Sequence, residues 1–376
     1  MTTGELAMLT QQVLWGAFLV AMVFGAIVQR TGFCTMGAIS DVATMGDWTR
    51  MRQWGLAAGV ATIGFGVLAW AGVVDPASTL YASDRWSWLS ALAGGAIFGF
   101  GMVLASGCPS KALVRVGGGS LKALVVVLVL GFAAFATLKG VTAVWRVTTV
   151  DRIGVEFEGG ARLPAWAAQA LGIEPRLAGL VLALAIGGAL LAWALGGRDF
   201  RRGNNLLAGL GVGGAVVAMW WVSGALGHVA EHPQTLQETF LATNSGRAEA
   251  FSFVSPIAYT LDWLMFYSDS NKLLTVGIVS VFGAIAGSAL VAVSSGRFRW
   301  EGFGGTGDLG HHLVGAVLMG VGGVTALGCS IGQGISGVST LSATSLVAAA
   351  AMIAGARAAL GYQEWRIERP AAASHP

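Results

Sequence analysis

The chain has 376 residues, 55% of them hydrophobic and only 11% charged, and its mean hydropathy is +0.70; that balance excludes a soluble globular domain and describes an integral membrane protein. A formal net charge of +3 is too small to point to nucleic acid. Three cysteines, Cys34, Cys108 and Cys329, lie far apart with no CxxC pair, which spells neither a disulfide framework nor a zinc site and implies no metal or other cofactor.

Apolar runs close to the roughly 20 residues that cross the hydrocarbon core as helix fall at 11–29, 54–73, 88–106, 121–140, 177–196, 204–226, 273–294, 311–327 and 341–361. They predict an all-α protein of about nine transmembrane helices. No Lys or Arg precedes the first run and no small-residue cleavage site follows it, so a retained helix is expected rather than a signal peptide. Assigning alternate loops to one side collects Arg30, Arg50, Arg52, Lys111, Arg115, Lys122, Arg198, Arg201, Arg202, Arg297, Arg299, Arg357, Arg366 and Arg369, which is 14 of the 22 basic residues. The positive-inside rule makes that face cytoplasmic. The expected protein is therefore a multi-pass protein of the inner (plasma) membrane with its N-terminus outside and its C-terminus in the cytoplasm. The segment 141–176, with Asp151, Glu156, Pro164 and Pro175, reads as an external loop, and Trp86, Trp88, Trp145 and Trp300 read as interfacial anchors.

The chain repeats itself. "GGAIFGFGMVLASGCPSKALVRVGGGSLKAL" set over "VGAVLMGVGGVTALGCSIGQGISGVSTLSATSL" aligns Gly99 with Gly320, Gly101 with Gly322, Gly107 with Gly328 and Cys108 with Cys329, a constant offset of 221 residues. Upstream, "RTGFCTMGAISD" pairs with "AFSFVSPIAYTLD": Phe33 matches Phe253, and Val254 takes the place of Cys34. An odd number of spans between the copies makes them enter the membrane from opposite faces, an inverted repeat of the transporter kind. The expected division is a first repeat over 1–140, an external loop and linking helix over 141–203, a second repeat over 204–362 and a cytoplasmic tail over 363–376, with short membrane-embedded helices inside the repeats. The plain alternative is that the glycines only bring helices close together.

Lys111 and Arg115 either lie at the cytoplasmic edge, snorkelling to headgroups, or line a watery cavity inside the protein. Their i, i+4 spacing places both on one face of a short helix started by Ser106 to Ser110, and two cations near a helix N-terminus suit a small anion. A buried cysteine is commonly an apolar filler. Three cysteines each followed by a small polar or capping residue ("GFCT", "SGCP", "LGCS") point instead to a shared role, because a thiol meets a soft sulfur-bearing ligand better than a hard oxyanion. Weak sites in series are what permeation requires.

These segments, with "GCPSKALVRVGGGSLKALVVVLVLGF" and "GGVTALGCSIGQGISGVSTL", resemble the YeeE/YedE sulfur-transport family from about Phe24 to Tyr362. The resemblance implies an inverted-repeat bundle whose embedded helices form an hourglass, and an activity that moves thiosulfate, or a related small sulfur anion, inward. It implies that Cys34, Cys108 and Cys329 are pathway cysteines that meet the substrate's terminal sulfur. Thr35, Ser110, Lys111, Arg115, Ser330 and Gln333 flank them as candidate polar contacts; for Ser110, Ser330 and Gln333 the alternative is a helix cap. The implied partners, besides membrane lipids, are the anion and a small cytoplasmic sulfur-carrier protein.

Two other classes of function compete with a permease. A membrane sulfurtransferase would carry a cysteine persulfide activated by Lys111; a scaffold would only recruit a soluble partner. No Walker-type phosphate loop is present to couple ATP. His228 and His232 fall in an external loop, His311 and His312 precede a span, and neither pair is assigned a metal. Asp41 is expected to pair with Arg50 or Arg52; Asp262 is left without a role.

Overall fold

The computed structural model describes residues 3–157, 160–233 and 236–373. Fourteen α-helices follow one another: α1 (Thr3–Thr31), α2 (Thr35–Thr44), α3 (Thr49–Trp70), α4 (Trp88–Leu104), α5 (Pro109–Gly117), α6 (Leu121–Lys139), α7 (Val141–Thr148), α8 (Leu163–Leu171), α9 (Pro175–Leu195), α10 (Gly203–Trp221), α11 (Val254–Met265), α12 (Val276–Ser294), α13 (Thr306–Thr325) and α14 (Ala343–Ala373). A short π-helix, Gly332–Gly337, lies between the last two. Among the described residues, strands are limited to two-residue pairs, 85–86 with 155–156 and 228–229 with 239–240.

Among the described residues, eight stretches are helical, long and apolar enough to cross a membrane. They coincide with eight of the nine expected spans. The ninth expectation, 311–327, is met by a helix, α13, whose first turns carry Asp308, His311 and His312 and lower its hydropathy below the other eight. Those groups are compensated: Lys122 Nζ donates to Asp308 at 2.8 Å and His312 Nδ1 lies 3.1 Å from the same carboxylate. An ionisable group is tolerated at such a place when it turns to the protein and finds a partner.

Helices α4 and α13 cross at the middle of the bundle on glycines. A Cβ on Gly101 would sit 2.7 Å from the Gly315 carbonyl oxygen and one on Gly315 2.7 Å from that of Gly101; one on Gly94 would sit 2.8 Å from the Gly322 carbonyl oxygen and one on Gly322 2.7 Å from that of Gly94. Only glycine permits so close a backbone approach, as at small-residue crossings in other membrane bundles. Because 94 meets 322 and 101 meets 315, the two helices run antiparallel, and the offset of 221 residues exchanges the two contacts with each other.

Both helices also end alike. After α4, Ser106 turns left-handed (φ 54°), Ser106 N donates to Val103 O and Gly107 N to Met102 O. After α13, Leu327 does the same (φ 59°), with Leu327 N to Val324 O and Gly328 N to Gly323 O. This double bond satisfies carbonyls that a helix end leaves open. The wider packing obeys the same exchange: α1 lies on α12 as α10 lies on α3, α4 on α14 as α13 on α6, and α2 on α3 as α11 on α12.

Three expectations change in detail. The segment 141–176 is not a plain loop but holds α7 and α8, and Trp86 is half-buried there against Phe157 and Trp166 rather than standing as an exposed anchor like Trp145 and Trp300. Aromatic packing explains that collapse: Trp166 lies 5.0 Å from Phe157 of its own segment and 6.1 Å from Trp86, ring centroid to ring centroid. The tail from 363 does not separate from its span, since α14 continues to Ala373; residues 374–376 lie outside the described residues.

Candidate functional site

Four segments inside the bundle are too short to cross it. At about 1.5 Å per residue, α2, α5 and α11 reach about 15, 13 and 18 Å, half or less of a bilayer core for the first two. Each follows a non-helical break. Cys34 occupies the N-cap of α2 in extended backbone (φ −159°, ψ 123°), and its Sγ accepts from Gly37 N at 3.4 Å. Cys329 repeats that bond before the π-helix, Sγ accepting from Gly332 N at 3.3 Å. Sulfur here does what a serine oxygen commonly does at a helix start.

Cys108 is the N-cap of α5, with Pro109 in the first turn. The helix was expected to be started by Ser106 to Ser110; Ser106 instead closes α4, and Pro109, whose missing N–H costs nothing in a first turn, fixes the start one residue after the cysteine. Cys108 Sγ makes no cap bond and lies 3.1 Å from Ser110 Oγ. At the fourth break Phe253 is the cap and Val254 opens α11, both fully buried.

The breaks converge. The thiols of Cys34 and Cys108 are close neighbours, and Ser330 stands beside Cys108. Thr35 and Ser330 share the wall of a 20 Å³ cavity with Trp54 and Gly334. On the opposite side Cys329 reaches the backbone of Phe253, and Gly332 rests on Ser252. Phe24 of α1 stacks on both Phe251 and Phe253, with ring centroids 4.9 and 5.5 Å apart. Thus α2 and α5 begin near one another and lead to one end of the bundle, while α11 and the π-helix begin beside them and lead to the other.

Of the residues singled out in the sequence, Cys34, Cys108, Cys329, Thr35, Ser110, Ser330 and Gln333 meet at this junction. Lys111, one turn into α5, faces the Cys34 and Cys108 thiols together with Arg50 and Arg115. Arg115 itself is exposed and donates from Nη1 to Ser106 O at 3.2 Å, which ties it to the end of α4 rather than to a thiol. Gln333 Nε2 donates to Ala326 O, capping α13. Its Oε1, however, is buried without a hydrogen bond, as are Thr35 Oγ1 and Ser330 Oγ. Buried polar atoms are nearly always paired, so three unpaired ones around three thiols mark a place built for a guest or for water.

Sequence reasoning passed over the junction's aromatic floor, Phe24, Phe251 and Trp54, whose indole Nε1 is also buried without a partner. "AFSF" in the second copy was the one available signal for Phe251. Elsewhere, Asp41 pairs with Arg50 at 3.3 Å, and Asp262 pairs with Lys272 beyond α11. Among the described residues no three His, Cys, Asp or Glu side chains gather as a metal would need.

Such a junction can hold a small, soft anion. The thiols and hydroxyls offer weak donors, the helix starts offer unsatisfied N–H groups and partial positive charge, Lys111 adds a full one, and the buried walls exclude bulk water. Residues 30–358 match the family described as Sulphur transport. The chain is 26% identical over 350 residues, 91% of its length and 96% of the other's, to a protein of Spirochaeta thermophila named Thiosulfate transporter TsuA. It is 26% identical over 322 residues, 83% of each chain, to the protein of the same name in Escherichia coli. With the match covering most of the chain and the curated relatives named as transporters, the chain belongs to the Sulphur transport family of membrane transport proteins.

Proposed function

We propose that the protein is an inner-membrane permease that brings thiosulfate, or a closely related sulfur anion, into the cytoplasm through the cysteine-lined junction. The reading divides the chain into two inverted repeats, 1–140 and 204–362, joined by the segment 141–203 and followed by the tail from 363. It places the basic ends of α1, α5 and α14 in the cytoplasm and the N-terminus outside, and makes a small cytoplasmic sulfur carrier the receiver. The single observation that carries it is the meeting of Cys34, Cys108 and Cys329 at the starts of short helices, among three unpaired buried polar atoms. The swapped glycine contacts of α4 and α13 support the inverted relation.

In this reading the anion passes Cys329 first, then the Cys108 and Cys34 pair. Each thiol donates to the terminal sulfur while Lys111 balances charge, and no covalent bond forms. Thr35, Ser110 and Ser330 exchange hydrogen bonds with the sulfonate oxygens, Gln333 orients them, and Arg115 draws the anion out at the cytoplasmic rim. Several weak contacts in series let it leave as readily as it enters. The test is uptake of labelled thiosulfate into proteoliposomes, with Cys108→Ser and Cys329→Ser beside the wild type and excess sulfate as competitor. Uptake that survives sulfate and collapses in both variants is the expected result. No uptake by the wild type, with a persulfide trapped on a cysteine, would overturn the permease in favour of sulfur transfer.

A further inference from the structure

A cavity of about 240 Å³ lies on the α11 side of the junction, lined by Arg146 of α7, Asn244, Ser245, Glu249, Ser252 and Tyr259 among others. Ser252 is also the residue on which Gly332 of the π-helix rests, so a single side chain separates the cavity from the Cys329 turn. The cavity is too large for one water and ample for a tetrahedral anion. Its hydroxyl and amide donors suit one, and so does Arg146, whose Nε is buried without a hydrogen bond and lies 3.5 Å from Asp151.

Glu249 contradicts that character. Its side chain is 9% exposed, in the connection between α10 and α11. Ser245 donates to Oε1 from its backbone N at 2.9 Å and from its hydroxyl, while Ser223 Oγ holds the Glu249 N–H at 2.8 Å. The carboxyl is thus fixed in the cavity wall and cannot swing away. Ionised, it opposes the charge of Arg146, which Asp151 also faces at 3.5 Å, and repels an anion. Protonated, it becomes one more donor.

We infer that this cavity is an outer waiting site for the sulfur anion and that the anion occupies it only while Glu249 carries a proton, so that acid on this side speeds uptake. The inference rests on the permease reading and adds to it a site and a control. Burial supports it by pushing the Glu249 carboxyl up from its ordinary value, against the opposing pull of its hydrogen bonds to Ser245. Other charged and titratable groups surround Glu249. Arg146 stands across the cavity from α7, and Tyr81 and Tyr259 are neutral phenols within electrostatic range. Arg247 turns its guanidinium to Ala82 O, and Asp262 is held by Lys272. His228, at the same end, pairs with Glu238 and not with Glu249. Thiosulfate stays a dianion throughout.

The experiment measures labelled thiosulfate uptake into proteoliposomes of fixed internal pH while the external pH is raised from about 4 to about 8, across and above the ordinary carboxylate range. Protonation favours occupancy, so uptake is lost as the pH rises through the Glu249 value, approaching about tenfold per unit for one proton. Glu249→Gln, permanently uncharged, transports with a flat profile. Ser245→Ala removes a bond that favours the carboxylate and moves the wild-type midpoint to higher pH, which keeps the test alive if the glutamine variant fails to fold. Arg146→Gln raises KM more than it lowers kcat, and His228→Gln retains the wild-type profile. The same pH slope in wild type and Glu249→Gln, or an unmoved midpoint in Ser245→Ala, overturns the waiting site and leaves the permease standing. No wild-type uptake at any pH overturns both.

Discussion

The two halves of the junction share a backbone and differ in chemistry. On the side of α2 and α5 both breaks open on a cysteine and Lys111 stands one turn away; on the side of α11 and the π-helix one break opens on Cys329 and the other on Val254, behind stacked phenylalanines. A repeat therefore fixes where helix starts point, while the residue at each start decides what it can hold. One half presents two thiols and a cation, and the other presents one thiol and an aromatic wall.

The harshest way to break the symmetry is at its seam. Gly101→Val drives side-chain atoms into the Gly315 carbonyl and the Met319 N–H. Backbone cannot yield there as a side chain would, and overpacking of this kind costs about 1–3 kcal/mol or more; detergent-purified variant is expected to lose its monodisperse elution peak. Next in size, Cys108→Ser is expected to cut uptake about a hundredfold, a loss of roughly 2.7 kcal/mol of barrier stabilisation, and Cys329→Ser somewhat less, since Cys108 has Cys34, Ser110 and Ser330 as thiol or hydroxyl neighbours to coordinate with. Equal losses would remove the distinction between the halves. Lys111→Gln is expected to weaken apparent affinity about tenfold, roughly 1.4 kcal/mol, read from the concentration dependence of uptake at low salt. Smallest is Val254→Cys, which restores the missing thiol: uptake should change less than about twofold, within the range of volume-conserving exchanges. A large gain would mean that the second half also works through sulfur.

Much of this was legible in the residues. Hydropathy placed nine spans, eight of which coincide with long apolar helices, and the repeated Gly-Cys units at 107–108 and 328–329 located the junction because each stands at a helix break. What escaped depended on partners distant in sequence. Phe24 meets Phe251 and Phe253 across more than half the chain, and Asp308 of α13 finds its cation in Lys122, 186 residues away. Ser106 read as a helix start because a serine usually is one; the left-handed turn that makes it a helix end is fixed by bonds back to Val103 and Met102, which no local pattern announces. Glu249 had no apolar period or motif around it and became visible only as a cavity wall.

The glycine seam between α4 and α13 also bears on how the protein moves. With carbonyl oxygens standing where methyl groups would be, the contact has no slack, and sliding or rocking one half on the other would part both glycine pairs at once. The pieces free to shift against it are then α5 and the π-helix, each joined to a seam helix by a single break. The two helices form a fixed keel, and any shape change has to be local to the short pieces beside it.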